Sequence, residues 1–158
     1  MIISVYNKGN PVLSNTAEYA LRAVLHVAEN AHETESLPVV TVAKALGIPK
    51  NYLSKILHEL ARAGVLASTR GKHGGFRLGR APSRITLFDV VSCFDEIGAT
   101  RRCLLGRPQC NDRHPCVVHD RWKDVAQEVA SFFRHTTLTE VISEGATVPA
   151  LAGGRESA

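Results

Sequence analysis

Leu13, Ala17, Ala20, Leu21, Val24 and Ala28 recur at spacings of three and four, with polar positions between them, which is the period of an amphipathic helix. One helix is therefore expected over Leu13–Glu29, opened by Ser14, Asn15 or Thr16 and carrying Glu18 in its first turn. After a polar, proline-broken connection, Val40 to Leu46 reads as a short helix capped by Thr41 and closed by Gly47. Lys50 to Ala63 then places Leu53, Ile56, Leu57 and Leu60 on one face and leaves Lys50, Asn51, Ser54, Lys55, His58 and Arg62 off it. Two short helices joined by a glycine-containing turn make a helix-turn-helix, whose second helix enters the major groove of DNA.

The period then changes. Val65 to Thr69 is β-prone, Arg70-Gly71-Lys72-His73-Gly74-Gly75 is a glycine-rich turn, and Phe76-Arg77-Leu78 completes a hairpin, or wing. Ser83 or Thr86 opens a further helix, with Leu87, Val90, Phe94 and Ile97 at helical spacing until Gly98 breaks it. Val117 to Arg134 carries Trp122, Val125, Val129, Phe132 and Phe133, a wide apolar stripe. Too little chain follows to cover that stripe, so it is expected to pack on its counterpart in a homodimer, with an intrachain core helix as the alternative. A two-fold dimer sets two recognition helices roughly 34–36 Å apart and predicts a palindromic operator.

The expected fold is mainly α with a small β-wing, a winged helix-turn-helix followed by a long dimerisation helix. Its DNA-binding domain spans 13–84, and dimerisation helices with a cysteine loop at about 100–119 span 85–142. Residues 1–12 and 147–158 are read as flexible ends, the latter being rich in Gly and Ala without periodicity.

A length of 158 residues and 44% apolar content fit one compact domain or a domain with an appendage. No run approaches the roughly 18 apolar residues that cross a bilayer, and residues 1–15 lack a basic stretch followed by an apolar block, so no membrane association and a cytoplasmic location are expected. The net charge of +4 is concentrated between Lys44 and Arg84, where nine Lys or Arg residues face one acid, Glu59. A basic run alone is often a solvated face; on a helix-turn-helix with a basic wing it points to double-stranded DNA. Lys50, Asn51, Tyr52 and Lys55 of the second helix and Arg70, Lys72 and His73 of the wing are the candidate contacts, with core support as an alternative role for Tyr52. There is no Walker lysine motif, Ser-centred nucleophile elbow or HExxH pair, so neither an enzyme nor a small-molecule substrate is expected.

Three of the four cysteines fall in Cys103-x6-Cys110-x5-Cys116-x2-His119, which has the character of a metal-ligand set rather than a disulfide framework. The intervening Leu104 to Pro115 contains Gly, Pro, Asn, Asp and Arg, as an irregular loop able to wrap an ion or cluster would. Spacing does not separate an iron-sulfur cluster from a structural Cys3His zinc site, and a metal-free thiol switch is a third reading. Arg101, Arg102, Arg107 and Arg113 would lower thiolate pKa values under all three. His114 is a weaker ligand candidate, and Cys93, between Val91 and Phe94, reads as a small buried hydrophobe.

The chain resembles the dimeric winged helix-turn-helix regulators that include IscR, NsrR and RsrR. The resemblance spans roughly Leu13 to Ile142 and rests on Tyr52-Leu53, on Arg70-Gly71-x-x-Gly74-Gly75-x-x-Leu78-Gly79, and on Ile85 to Val91. Thr100-Arg101, Cys116-x2-His119 and Trp122 are most similar to the IscR branch, in which three cysteines and a histidine hold a 2Fe-2S cluster. The resemblance thus implies Cys103, Cys110, Cys116 and His119 as ligands of an iron-sulfur cluster, 2Fe-2S being favoured and 4Fe-4S the alternative. Here six residues rather than five separate the first two cysteines. In NsrR-like and RsrR-like members an acidic residue of the first helix, matched by Glu18, supplies the fourth ligand; Arg22 stands where RsrR-like proteins add a histidine. Repression governed by redox state, nitric oxide or iron-sulfur status is the implied activity.

Overall fold

The computed structural model describes residues 12–31, 35–97, 103–107 and 110–143. Helix α1 (Asn15–Asn30) begins where the Ser14 hydroxyl accepts the Ala17 amide at 3.1 Å, and it buries Ala17, Ala20, Ala23, Val24 and Val27. Small residues along that face let neighbouring helices approach closely. Helix α2 (Val39–Leu46) starts from Pro38, with no side-chain cap. The expected cap, Thr41, lies inside the helix: Pro38 presets φ for helix entry, and its carbonyl accepts the Thr41 amide at 3.0 Å. Gly47 ends α2 at φ 67°, a left-handed conformation that costs glycine little, and so makes the tight turn into α3 (Lys50–Arg62).

Helix α3 buries Leu53, Ile56, Leu57 and Leu60, the face read from the sequence. The wing follows as antiparallel strands β1 (Leu66–Thr69) and β2 (Gly75–Leu78), with Leu66 opposite Leu78 and Thr69 opposite Gly75. Leu37 extends this sheet by one bridge, exchanging backbone hydrogen bonds of 2.8 and 2.9 Å with Phe76 and so tying the wing to the entry of α2. A Cβ at Gly75 would sit 2.2 Å from the Leu37 carbonyl oxygen, so only glycine permits this approach.

After a 3-10 turn at Pro82–Arg84, Thr86 caps α4 (Leu87–Val91) in a reciprocal capping box with Asp89. The helix expected to run to Ile97 ends at Val91, where the Phe94 amide donates to the Val91 carbonyl at 3.0 Å in a tighter i→i−3 turn. Asp95 is then held by the Ser14 amide at 2.7 Å, a tertiary contact that draws the chain off the helix axis. Helix α5 (His119–His135) is the long C-terminal helix, and α6 (Leu138–Ser143), unforeseen in the sequence, follows it. Thr86 and Thr137 bridge the start of α4 to the exit of α5, with Leu87 donating to Thr136 and Leu138 to Ile85, both at 2.9 Å.

The core runs from α1 through α3 and β1 to α4, with Phe133 of α5 and Leu138 of α6 closing it. The stripe on α5 divides: Phe133 is 5% exposed, whereas Val125 and Phe132 are 48% and 56% exposed. Residues 1–11 and 144–158, which take in nearly all of the expected flexible ends, lie outside the described residues, as do Thr100, Arg101 and Arg102.

Candidate functional site

The candidate DNA-binding residues lie on α3 and the wing. Lys50, Asn51, Lys55, Arg70, Lys72 and His73 are all exposed. Helix α3 opens without a side-chain cap, leaving its first amides to solvent or to a phosphate. Lys50 and Arg70 line one groove of about 380 Å³ between α2, α3 and the wing, which is floored by Phe76 and by wing glycines. His58 lines it too, edge-on to Phe76 at 5.2 Å between ring centres. The sequence reading placed His58 only on the polar face; the groove it shares with Lys50 is completed by the wing, a tertiary relation that helical spacing does not display.

Tyr52, exposed on the same helix, α3, is also packed against α1. Its hydroxyl lies 2.5 Å from Thr16 Oγ1 and its ring stands edge-on to Tyr19 at 5.9 Å, so it braces α3 against α1 while remaining 39% exposed. Arg80, part of the basic run, is a strut: it donates to the Arg84 carbonyl at 2.8 Å and the Gly64 carbonyl at 3.4 Å, and pairs with Asp89 at 2.9 Å. Burial alone would push the Asp89 carboxyl up, but the Thr86 backbone amide, the Arg80 guanidinium and the Thr86 side chain outweigh it and hold Asp89 below the usual carboxylate range.

In the cysteine loop two of the four candidate ligands touch, and a third influences the fourth. Cys110 Sγ lies 3.1 Å from His119 Nδ1, and the Cys116 side chain contributes to lowering the Cys103 thiol pKa. The His119 amide donates to the Cys116 carbonyl at 3.0 Å, so one turn at the start of α5 links Cys116 to His119. Among the described residues no three His, Cys, Asp or Glu side chains converge as ligands of a single ion. Cys103 and His119 are buried, at 7% and 6% exposure. Backbone amides of Arg107 and Leu105 lower the Cys103 thiol pKa against the opposing effect of burial, aided by Cys116 and the charge of Arg107.

The other face of His119 is also occupied. Nε2 lies 2.9 Å from Asp112 Oδ1, and Lys123 Nζ reaches the same oxygen at 3.0 Å. Asp112, two residues after Cys110, was not singled out from the sequence. His114 is exposed, its carbonyl accepting from Arg107 at 3.1 Å. Cys93 donates to the Asp89 carbonyl, and burial raises its thiol pKa, in keeping with a packing role. Glu18 accepts from Arg22 Nε at 3.1 Å on its own helix.

A helix-turn-helix, a basic wing and a long C-terminal helix define a winged-helix transcriptional regulator rather than an enzyme. Residues 13–144 match the family described as Rrf2, iron-dependent transcriptional regulator, and the chain belongs to that family. It is 32% identical over 131 residues to the HTH-type transcriptional regulator IscR of Klebsiella pneumoniae, covering 83% of this chain and 79% of that protein. Its fold is similar to CymR, the global cysteine regulator of B. subtilis, with a TM-score of 0.71 and 22% identity over 84% of this chain and 96% of that one. T. potens IscR is also similar, with a TM-score of 0.68 and 20% identity over 89% and 93% of the respective chains. No helix among the described residues is long and apolar enough to cross a membrane.

Proposed function

We propose that this chain is a cytoplasmic homodimeric repressor that binds a palindromic operator and senses redox state, nitric oxide or iron-sulfur status through a cluster in the cysteine loop. Cys103, Cys110, Cys116 and His119 would hold the cluster, with Glu18 as the alternative fourth ligand. The observation that carries this reading is the approach of two of the four donors across the loop, Cys110 Sγ to His119 Nδ1 at 3.1 Å. A 2Fe-2S cluster asks each of its irons for two protein ligands, a demand that the adjacent Cys110 and His119 suit at one iron, whereas zinc asks for four donors at one centre. A lowered Cys103 thiol pKa serves the same chemistry, because the thiolate is the ligand form.

When bound, the cluster supplies an oxidant-sensitive bond set that keeps the loop ordered. This chain's residues carry the loop's state outward: His119 opens α5, Thr136 at its exit accepts the α4 amide of Leu87, and Asp89 of α4 holds Arg80 at the base of the wing. An order-disorder change in the loop therefore has a packed route to the DNA-binding face.

The test is iron, zinc and acid-labile sulfide analysis of protein purified without oxygen, beside Cys110→Ala. Equal iron and sulfide, absent from the variant, supports the proposal. Zinc without sulfide leaves a DNA-binding protein with a structural metal, and reversible thiol oxidation coupled to DNA affinity without any metal leaves a thiol switch.

A further inference from the structure

The cluster reading leaves one group at the site without a role, the Asp112 carboxylate. It lies 2.9 Å from His119 Nε2, on the side of the imidazole opposite Cys110. An ionised carboxylate only accepts hydrogen bonds, so Nε2 must carry the proton that joins them. In the neutral ring that leaves the lone pair on Nδ1, the nitrogen that faces Cys110 Sγ at 3.1 Å. Lys123, one helical turn beyond His119, donates to the same Asp112 oxygen at 3.0 Å and fixes the carboxylate from α5. Asp112 is 55% exposed and lies in the loop, whereas His119 is 6% exposed at the head of the helix. This Asp112–His119 contact ties the middle of the loop to its helical anchor.

We infer that Asp112 is a positioning residue for the metal centre: it selects the Nε2-protonated tautomer of His119, commits Nδ1 to ligation and makes that nitrogen more electron-rich. Carboxylates in this position orient a ligating imidazole, and removing such a partner typically weakens metal binding about 10–100-fold. The inference rests on the proposal that His119 ligates the cluster. Asp112 is mostly exposed and lies outside the hydrophobic core, so Asp112→Ala is expected to keep the fold.

The experiment uses full-length wild-type protein and Asp112→Ala, both loaded with cluster without oxygen. Three quantities are read: the rate of cluster bleaching by a chelator, the midpoint potential, and nitrogen hyperfine coupling in reduced wild-type protein carrying histidine 15N-labelled at Nδ1 or at Nε2. Directly coordinated nitrogen is expected at Nδ1, with cluster loss at least about tenfold faster in Asp112→Ala and a potential moved upward by removal of the nearby negative charge. Direct coupling through Nε2, or a variant with unchanged bleaching rate and potential, would overturn the inference while leaving the cluster proposal standing. Wild-type protein that takes up no iron and sulfide, or whose cluster shows no histidine nitrogen, would sink the ligand reading itself. The hyperfine measurement requires no variant, so direct coupling through Nε2 overturns the inference even if Asp112→Ala cannot be loaded, and failure of that variant alone to hold the cluster supports it.

Discussion

Cys110 Sγ and His119 Nδ1 lie 3.1 Å apart, joining the middle of the cysteine loop to the first residue of α5. The contact crosses nine positions of chain and brings a half-buried thiol to a buried imidazole. His119→Ala should therefore lower cluster retention while sparing the fold, since Phe133 and Leu138, not His119, anchor this half of the chain to the core. Iron content after gel filtration, beside an unchanged melting temperature, checks this. Retention of iron at the wild-type level would move the fourth ligand to Glu18.

The cysteines should differ in reactivity in the metal-free protein. Amides of Arg107 and Leu105 lower the Cys103 pKa, whereas burial, with Glu59 and Asp89 adding to it, raises that of Cys93. Alkylation rates measured against pH by peptide mass spectrometry should give an inflection for Cys103 below the ordinary thiol value and one for Cys93 above it. Inflection points rather than absolute rates are compared, because both side chains are partly or fully shielded. Coincident inflections would remove the proposed thiolate at Cys103.

Arg80→Ala should destabilise the join between wing and α4. It removes hydrogen bonds to two carbonyls and the pair with Asp89, each net contribution being about 1 kcal/mol and less for the partly exposed ion pair. The Asp89 carboxyl is depressed in the folded state, so its contribution is full above the unfolded value of about 3.9 and disappears as pH falls through the lower folded value. The gap in melting temperature between wild type and Arg80→Ala should thus be wide at neutral pH and narrow below about pH 4. A gap independent of pH would show that the carbonyl bonds alone matter.

Periodicity made α1, α3 and the wing legible, because each buries one face against a continuous core and so displays its period in the sequence. It misled at α4, where Phe94 and Ile97 continue the helical spacing but the Ser14–Asp95 contact turns the chain away. Helix α6 escaped notice because it buries only Leu138 fully; its one local signal is Thr137 with Glu140, whose carboxylate accepts the Thr137 amide at 2.6 Å. At the site, spacing identified four donors but not the approach of Cys110 to His119, nor Asp112 as the partner of His119, since both depend on the path of an irregular loop. Charge counting grouped Arg80 with Arg70 and Lys72, although hydrogen-bond geometry turns it inward.

Operator affinity should separate the basic residues accordingly. Arg70 lines the groove beside Lys50, so Arg70→Ala should weaken DNA binding and make the fall of log K with log salt shallower by about 0.9, the increment for one phosphate no longer neutralised. Arg134, whose guanidinium lies 5.1 Å over the Phe88 ring, should on replacement by Ala lower thermal stability and leave the salt slope unchanged. Fluorescence anisotropy titrations at several salt concentrations check both. Equal slopes for wild type and Arg70→Ala would take the wing turn off the DNA.

The exposed half of the α5 stripe is the feature that a homodimer would explain. Phe133 is spent on the intrachain core, yet Phe132 beside it, edge-on at 5.3 Å, is 56% exposed and Val125 two turns earlier is 48% exposed. Phe132 also lines an apolar hollow of about 420 Å³ with Val12, Leu13 and Val129, so the uncovered surface continues from α5 onto the start of α1. Such a surface, carried by one face of a long helix, is suited to a self-complementary two-fold contact, in which each copy buries the other's stripe. Phe132→Glu with Val125→Glu would place two carboxylates in that contact at positions outside the buried core, and would remove the Phe132–Phe133 edge contact. Light scattering should report a mass falling from twice the 17.1 kDa of the chain to that of one chain, with operator binding abolished alongside it because two half-sites need two recognition helices. A double variant that still runs at twice the chain mass would place the dimer contact elsewhere, and a monomeric wild type would end the palindromic-operator reading.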